Sequence, residues 1–100
     1  MKANELRASV LLGMRVALLG CIGGSVRKIL CRWNDSEIRA RAIFDGEIRE
    51  EDMEAMLEAE TEIMASFPRH DVSITCERCD APLVIRRIDD EYAVYARLEK

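Results

Sequence analysis

The chain has one histidine, two prolines and five aromatic residues among 100 positions, and each scarcity removes a class of function. His70 stands between Arg69 and Asp71 just beyond Pro68, the place of a solvated turn residue rather than a general base. Ser9, Ser25, Ser36, Ser66 and Ser73 lack a nucleophile motif such as G-x-S-x-G. Gly20-Cys21-Ile22-Gly23-Gly24-Ser25 is glycine-rich, but a strand rather than a helix is expected after it, so it does not match a phosphate-cradling loop. No enzyme template fits, and no catalytic residue or cofactor is expected. Tracts rich in Ser, Gly or Pro are also missing, so disorder is not expected. The apolar run Val10–Cys21 resembles a lipoprotein leader ending in Leu-Leu-Gly-Cys, but Arg15 interrupts it. A charge there costs about 2.5–3.5 kcal/mol on insertion, and Glu5 dilutes the required positive leader. An amphipathic helix is the simpler reading, with no membrane association.

About half of the residues are apolar, enough for one modest core, and residues 1–100 are expected to form a single domain. The net charge of −4 hides a partition. Residues 1–44 carry eight Lys/Arg against three acids, residues 45–67 one Arg against nine acids, and residues 68–100 six against seven. An acid block of that kind repels the phosphate backbone and favours a basic protein partner.

Periodicity places the elements. Asn4 can cap a first helix in which Leu6, Val10, Met14, Ala17 and Leu18 recur at helical spacing and Leu11, Leu12, Val16 and Leu19 widen the stripe, so that the helix is expected to be mostly buried, ending near Gly20. From Val26 the period becomes two: Arg27, Ile29, Cys31 and Trp33 fall on one face, and Val26, Lys28, Leu30 and Arg32 on the other. After the Asn34-Asp35 turn, Ile38, Ala40, Ala42 and Phe44 alternate with Glu37, Arg39, Arg41 and Ile43, which makes a hairpin. A second helix is expected from about Glu50 to Phe67, closed by Pro68, with Glu60 out of character on its apolar stripe. Val72, Ile74 and Cys76 mark a third strand. In a fourth, from Tyr92 to Leu98, Tyr92, Val94, Ala96 and Leu98 face inward and Tyr95 and Arg97 outward. The expected fold class is α+β, ordered α-β-β-α-β-β, with a four-stranded antiparallel sheet and both helices on one face. The inward set is Leu6, Val10, Met14, Leu18, Ile29, Trp33, Ile38, Phe44, Met56, Leu57, Ile63, Phe67, Ile74 and Val94.

Cys76-Glu77-Arg78-Cys79 has the C-x-x-C spacing of zinc and redox sites. On a strand, residues three apart point to opposite faces, so the two thiols cannot share a metal there. Four ligands would need Cys21 and Cys31, nine residues apart in the gap between them, from a helix end and a strand. A redox pair would belong at the start of a helix. No metal site is expected: Cys31 and Cys76 read as small core residues, Cys21 and Cys79 as free or partly exposed thiols. That usage suits a reducing cytoplasm.

Two surfaces remain. Glu47, Glu51, Glu54, Glu58 and Glu62 recur at spacings of three and four, with only Arg49 near them to balance the charge, and they are the candidate partner-binding residues. Their ordinary explanation is a solvated helix face. The outer sheet face, with Lys28, Arg32, Arg39, Arg41, Tyr95 and Arg97, could hold RNA in principle. It lacks paired stacking aromatics and the element order of the common RNA-recognition sheet, so no nucleic acid is expected, and uncovered basic strands also resist edge pairing.

Several stretches carry a resemblance: Leu11-Leu12-Gly13-Met14-Arg15-Val16-Ala17-Leu18-Leu19-Gly20, Ala42-Ile43-Phe44-Asp45-Gly46-Glu47-Ile48-Arg49-Glu50-Glu51-Asp52, Glu60-Thr61-Glu62-Ile63-Met64-Ala65-Ser66-Phe67 and Cys79-Asp80-Ala81-Pro82. Together they resemble small bacterial immunity-like proteins of polymorphic toxin and contact-dependent inhibition systems. The resemblance covers most of the chain and rests on structural motifs. It implies a cytoplasmic, non-enzymatic protein that neutralises a toxin domain by binding it, and it brings no catalytic residue. Arg49 stands where a serine could cap the second helix. The alternatives are a self-associating structural module, pairing through apolar surface left on the first helix, and a small structural zinc-binding protein.

Overall fold

Leu6, Val10, Met14, Ala17 and Leu18 repeat at helical spacing and are the buried face of α1, Ala3–Leu18. The computed structural model describes residues 2–99. After α1 come β1 (Val26–Trp33), β2 (Glu37–Phe44), α2 (Glu50–Ser66), β3 (Asp71–Arg78) and β4 (Tyr92–Ala96), the order expected from periodicity. Asn4 does not cap α1. The helix begins two residues earlier than expected, at Ala3 with Lys2 at the cap position, and the Leu6 amide bonds the Lys2 carbonyl, so Asn4 lies inside the first turn.

The sheet order is β3-β2-β1-β4, and the sheet is mixed rather than antiparallel. β1 pairs antiparallel with β2 and with β4, whereas β2 and β3 run parallel. Helix length gives the reason. At about 1.5 Å per residue, α2 covers roughly the length of one strand. It therefore returns the chain to the end of the sheet where β2 began, and β3 starts in the same direction as β2.

The main core lies between the sheet and the two helices. Ile29, Cys31, Ile38, Ala40, Ala42 and Phe44 supply the sheet side; Met56, Ala59, Ile63 and Phe67 supply the α2 side. Gly13 permits close helix packing, since a Cβ there would stand 3.0 Å from the Phe67 ring. Most of the expected inward residues are buried, but Leu12, Val16 and Leu19 of the α1 stripe are exposed, so that helix is covered along one row only, and further departures lie in the other elements. Leu57 is 59% exposed because α2 is covered only along the row Met56, Ala59, Ile63. Trp33, Ile74 and Val94 are half-buried and pack against the core margin. Ala96 and Leu98 are exposed rather than inward.

Two bulges in the ladders re-aim side chains. Between Val26 and Lys28 the β1–β2 register shifts, so Arg27 leaves the face it would share with Ile29. It extends instead to Cys79, Leu83 and Glu99. A second shift sets Tyr95 opposite Ile29 and Tyr92 opposite Cys31, bringing both rings to the helix side. Tyr95 is therefore not an outer-face residue. Tyr92 stacks on Trp33 at 5.4 Å and receives the Arg7 guanidinium of α1 at 4.6 Å.

Candidate functional site

The residues 45–67 that carry the acid block fold as the turn after β2 and as α2. Glu50, Glu51 and Asp52 occupy the first turn, the sign that the helix dipole favours. The cap is half of a capping box. Asp52 accepts from the Arg49 amide at 3.2 Å, while an arginine side chain has no acceptor to return the bond.

At 100° per residue, Glu51, Glu54, Glu58 and Glu62 fall within an arc of roughly 80° on the face turned away from the core. All four are exposed. Glu47 is exposed too, but it precedes α2, so it belongs to the approach to the ridge and not to the helix itself. None of these five carboxylates forms an ion pair among the described residues, whereas eight ion pairs form elsewhere.

Glu60 belongs to another row of the helix. Its carboxylate accepts from the Ile74 amide of β3 at 2.8 Å, which explains an acid on an otherwise apolar stripe. Met53, Leu57 and Met64 share that row, on the flank next to β3, and are exposed. The sequence stripe therefore splits in two: one part fills the core and the other borders the edge strand.

The outer face of the sheet is not the open basic surface expected. Residues 79–91 cross it as an irregular strap, beneath which Leu30 and Ile43 are fully buried. Arg41 holds Glu91 through two bonds of 2.7 and 2.8 Å, donates to Glu77 at 2.8 Å and to the Arg86 carbonyl at 2.8 Å. Arg27 grips Glu99 through bonds of 2.7 and 2.9 Å and donates to the Cys79 and Leu83 carbonyls. Arg97 joins Asp45 and Glu99, and Arg39 joins Glu37 and Asp71. Among these partners Asp45, Glu91 and Glu99 are held below their usual range, chiefly by the arginine that each accepts from. Arg41 lowers Glu91, and Arg27 takes Glu99 down to about 2. Arg27 and Arg41 thus serve as ties for the strap, a role that side-chain alternation could not reveal because their partners there lie in a segment without periodicity.

The four cysteines are free. Cys76 packs against the helix-side core, while Cys79 stands at the far end of β3 with its sulfur 3.7 Å from Arg27 Nη1. Burial, with Glu91 second, pushes the Cys31 thiol up to about 12. Cys21 and Cys76 are raised by burial first, then by nearby acids: Glu58 and Glu62 for the former, Asp52 and Glu60 for the latter. His70 Nε2 donates to the Asn34 carbonyl at 3.0 Å and lies edge-on to Phe67, so it ties the β1–β2 turn to the end of α2. Among the described residues no helix is long and apolar enough to cross a membrane.

The acid ridge of α2 forms no ion pair among the described residues, whereas Arg27, Arg39, Arg41 and Arg97 of the sheet region are all paired within the chain. No curated protein matches the chain. A family profile described as MafI2 immunity protein matches residues 7–99, nearly the whole length, and the chain belongs to that family.

Proposed function

We propose that this protein is a non-enzymatic immunity protein that neutralises a toxin domain by binding it, with Glu51, Glu54, Glu58 and Glu62 of α2 as the centre of the contact and Glu47 at its margin. The toxin surface it meets is basic. The observation that carries this reading is the division of charge. Arg27, Arg39, Arg41 and Arg97 are all paired within the chain, whereas Glu51, Glu54, Glu58 and Glu62 of α2 form no ion pair among the described residues. Exposed pairs contribute only about 0–1 kcal/mol to a fold, so an uncompensated ridge adds self-repulsion and no stability of its own. Against a positive surface the same charges speed association and select the partner, and they weaken as salt rises.

The test is charge reversal. Glu54→Lys with Glu58→Lys leaves the melting temperature equal or slightly higher. Capture of the toxin domain encoded beside the gene falls at low salt by on the order of tenfold or more. Equal capture and equal protection of cells by the double variant would reduce the ridge to a solvated face.

A further inference from the structure

We propose that the free edge of β3, bordered by Met53, Leu57 and Met64, receives an extended segment of the toxin as a fifth strand, one in which apolar and basic residues alternate. This rests on the immunity reading above and names the contact that the acid ridge would accompany. β3 is the terminal strand of the sheet, and no strand pairs with its other side among the described residues. Backbone direction along it is set by its bonds. The Asp71 amide reaches the Ser36 carbonyl and the Cys79 amide reaches the Phe44 carbonyl, so odd-numbered residues face β2. Val72, Ile74 and Cys76 therefore direct their amides and carbonyls to the open edge, and the Ile74 amide is the one held by Glu60. A row of alternating donors and acceptors is the chemistry that an added strand satisfies.

Side chains then specify the occupant. On the helix side the strand would meet Met53, Leu57 and Met64, three exposed apolar residues in line with Glu60 on α2, two of them flexible thioethers that adapt to varied partners. On the outer side β3 presents Asp71, Ser73, Thr75 and Glu77; Arg39 and Arg41 pair with its two acids but are shared with Glu37 and Glu91, so acids outnumber bases along that margin. Alternation of apolar and basic residues answers both faces, because successive residues of a strand point to opposite sides. A second copy of this chain is a poorer occupant, since pairing β3 with itself brings two acid-rich α2 helices together. Glu60 holds the Ile74 amide until the strand arrives, and a carbonyl of the added strand takes its place there.

A peptide alternating valine and lysine is the probe, followed by backbone NMR on the labelled protein. Its addition should shift the Val72, Ile74 and Cys76 amides and slow their exchange with solvent by about tenfold. The same peptide methylated at alternate backbone nitrogens, or with glutamate in place of lysine, should do neither. Cys76→Pro removes an amide that β2 does not use, and Leu57→Ser trims an exposed side chain; each should weaken the peptide by about tenfold while the rest of the spectrum is kept. If Cys76→Pro disturbs the fold, Leu57→Ser alone decides. Peptide-induced shifts confined to Glu54, Glu58 and Glu62, binding undiminished in Leu57→Ser, or a dimer joined through β3 would each overturn the proposal. Protection of cells from the toxin separates the two readings. A parent protein that does not protect refutes immunity, whereas equal protection by parent, Leu57→Ser and Cys76→Pro refutes strand addition alone.

Discussion

Arg41 and Glu91 show what a single side chain decides here. The Glu91 carboxylate is 1% exposed and the Arg41 guanidinium 16%, so each is the main solvation of the other. Glu91→Leu alone is expected to cost up to about 3 kcal/mol in urea unfolding, because the guanidinium loses the more enclosed of its two carboxylates and keeps only Glu77. Arg41→Met combined with Glu91→Leu should cost less than that single change. The thiols divide in a similar way. Cys31, fully buried and with its ionisation pushed to about 12, should resist a thiol reagent at neutral pH in the folded protein and react only on unfolding. A count of reacted thiols before and after denaturation checks this. Acid acts through the depressed carboxylates Asp45, Asp80, Glu91 and Glu99. Their contribution is complete above the ordinary carboxylate range and is lost as pH falls through the folded values. For Glu99 that window runs from 4.5 down to about 2. Melting temperature should therefore drop over that interval, and Arg27→Met should flatten the drop.

Elements were legible where one period governed them. The positions of α1, β1, β2 and α2 follow from spacing alone, and Phe44 lands at the centre of the core as the alternation of β2 requires. Phe44→Ala should cost about 3–5 kcal/mol, measured by chemical denaturation, since the ring is fully enclosed. What escaped the sequence depends on pairing rather than period. The direction of β3 relative to β2 is fixed by the length of α2, and the facing of Arg27 and Tyr95 by bulges that insert one residue into a ladder. Leu57 fits the apolar period of α2, but one helix cannot bury both its core row and its flank. The same limit applies to the candidate site. The four helix acids could be placed on one face from their spacing, whereas their lack of counter-charges required knowing where every arginine had gone.

Across the whole molecule, Arg27, Arg39, Arg41 and Arg97 are paired at the sheet, while the acids on the outer side of α2 form no ion pair among the described residues. β1 lies inside the sheet, yet one of its two neighbours is the last strand in the chain. During synthesis β1, β2, α2 and β3 emerge before β4, at roughly 5–20 residues per second. For several seconds, then, β1 is itself an open edge, and Arg27 and Arg41 wait without Glu91 and Glu99. The protein has two exposed edges in its youth and a different pair at maturity. The emergence of β4 is what converts an adhesive nascent chain, open at β1 and β3, into one open at β3 and β4, so the fold keeps time as well as shape.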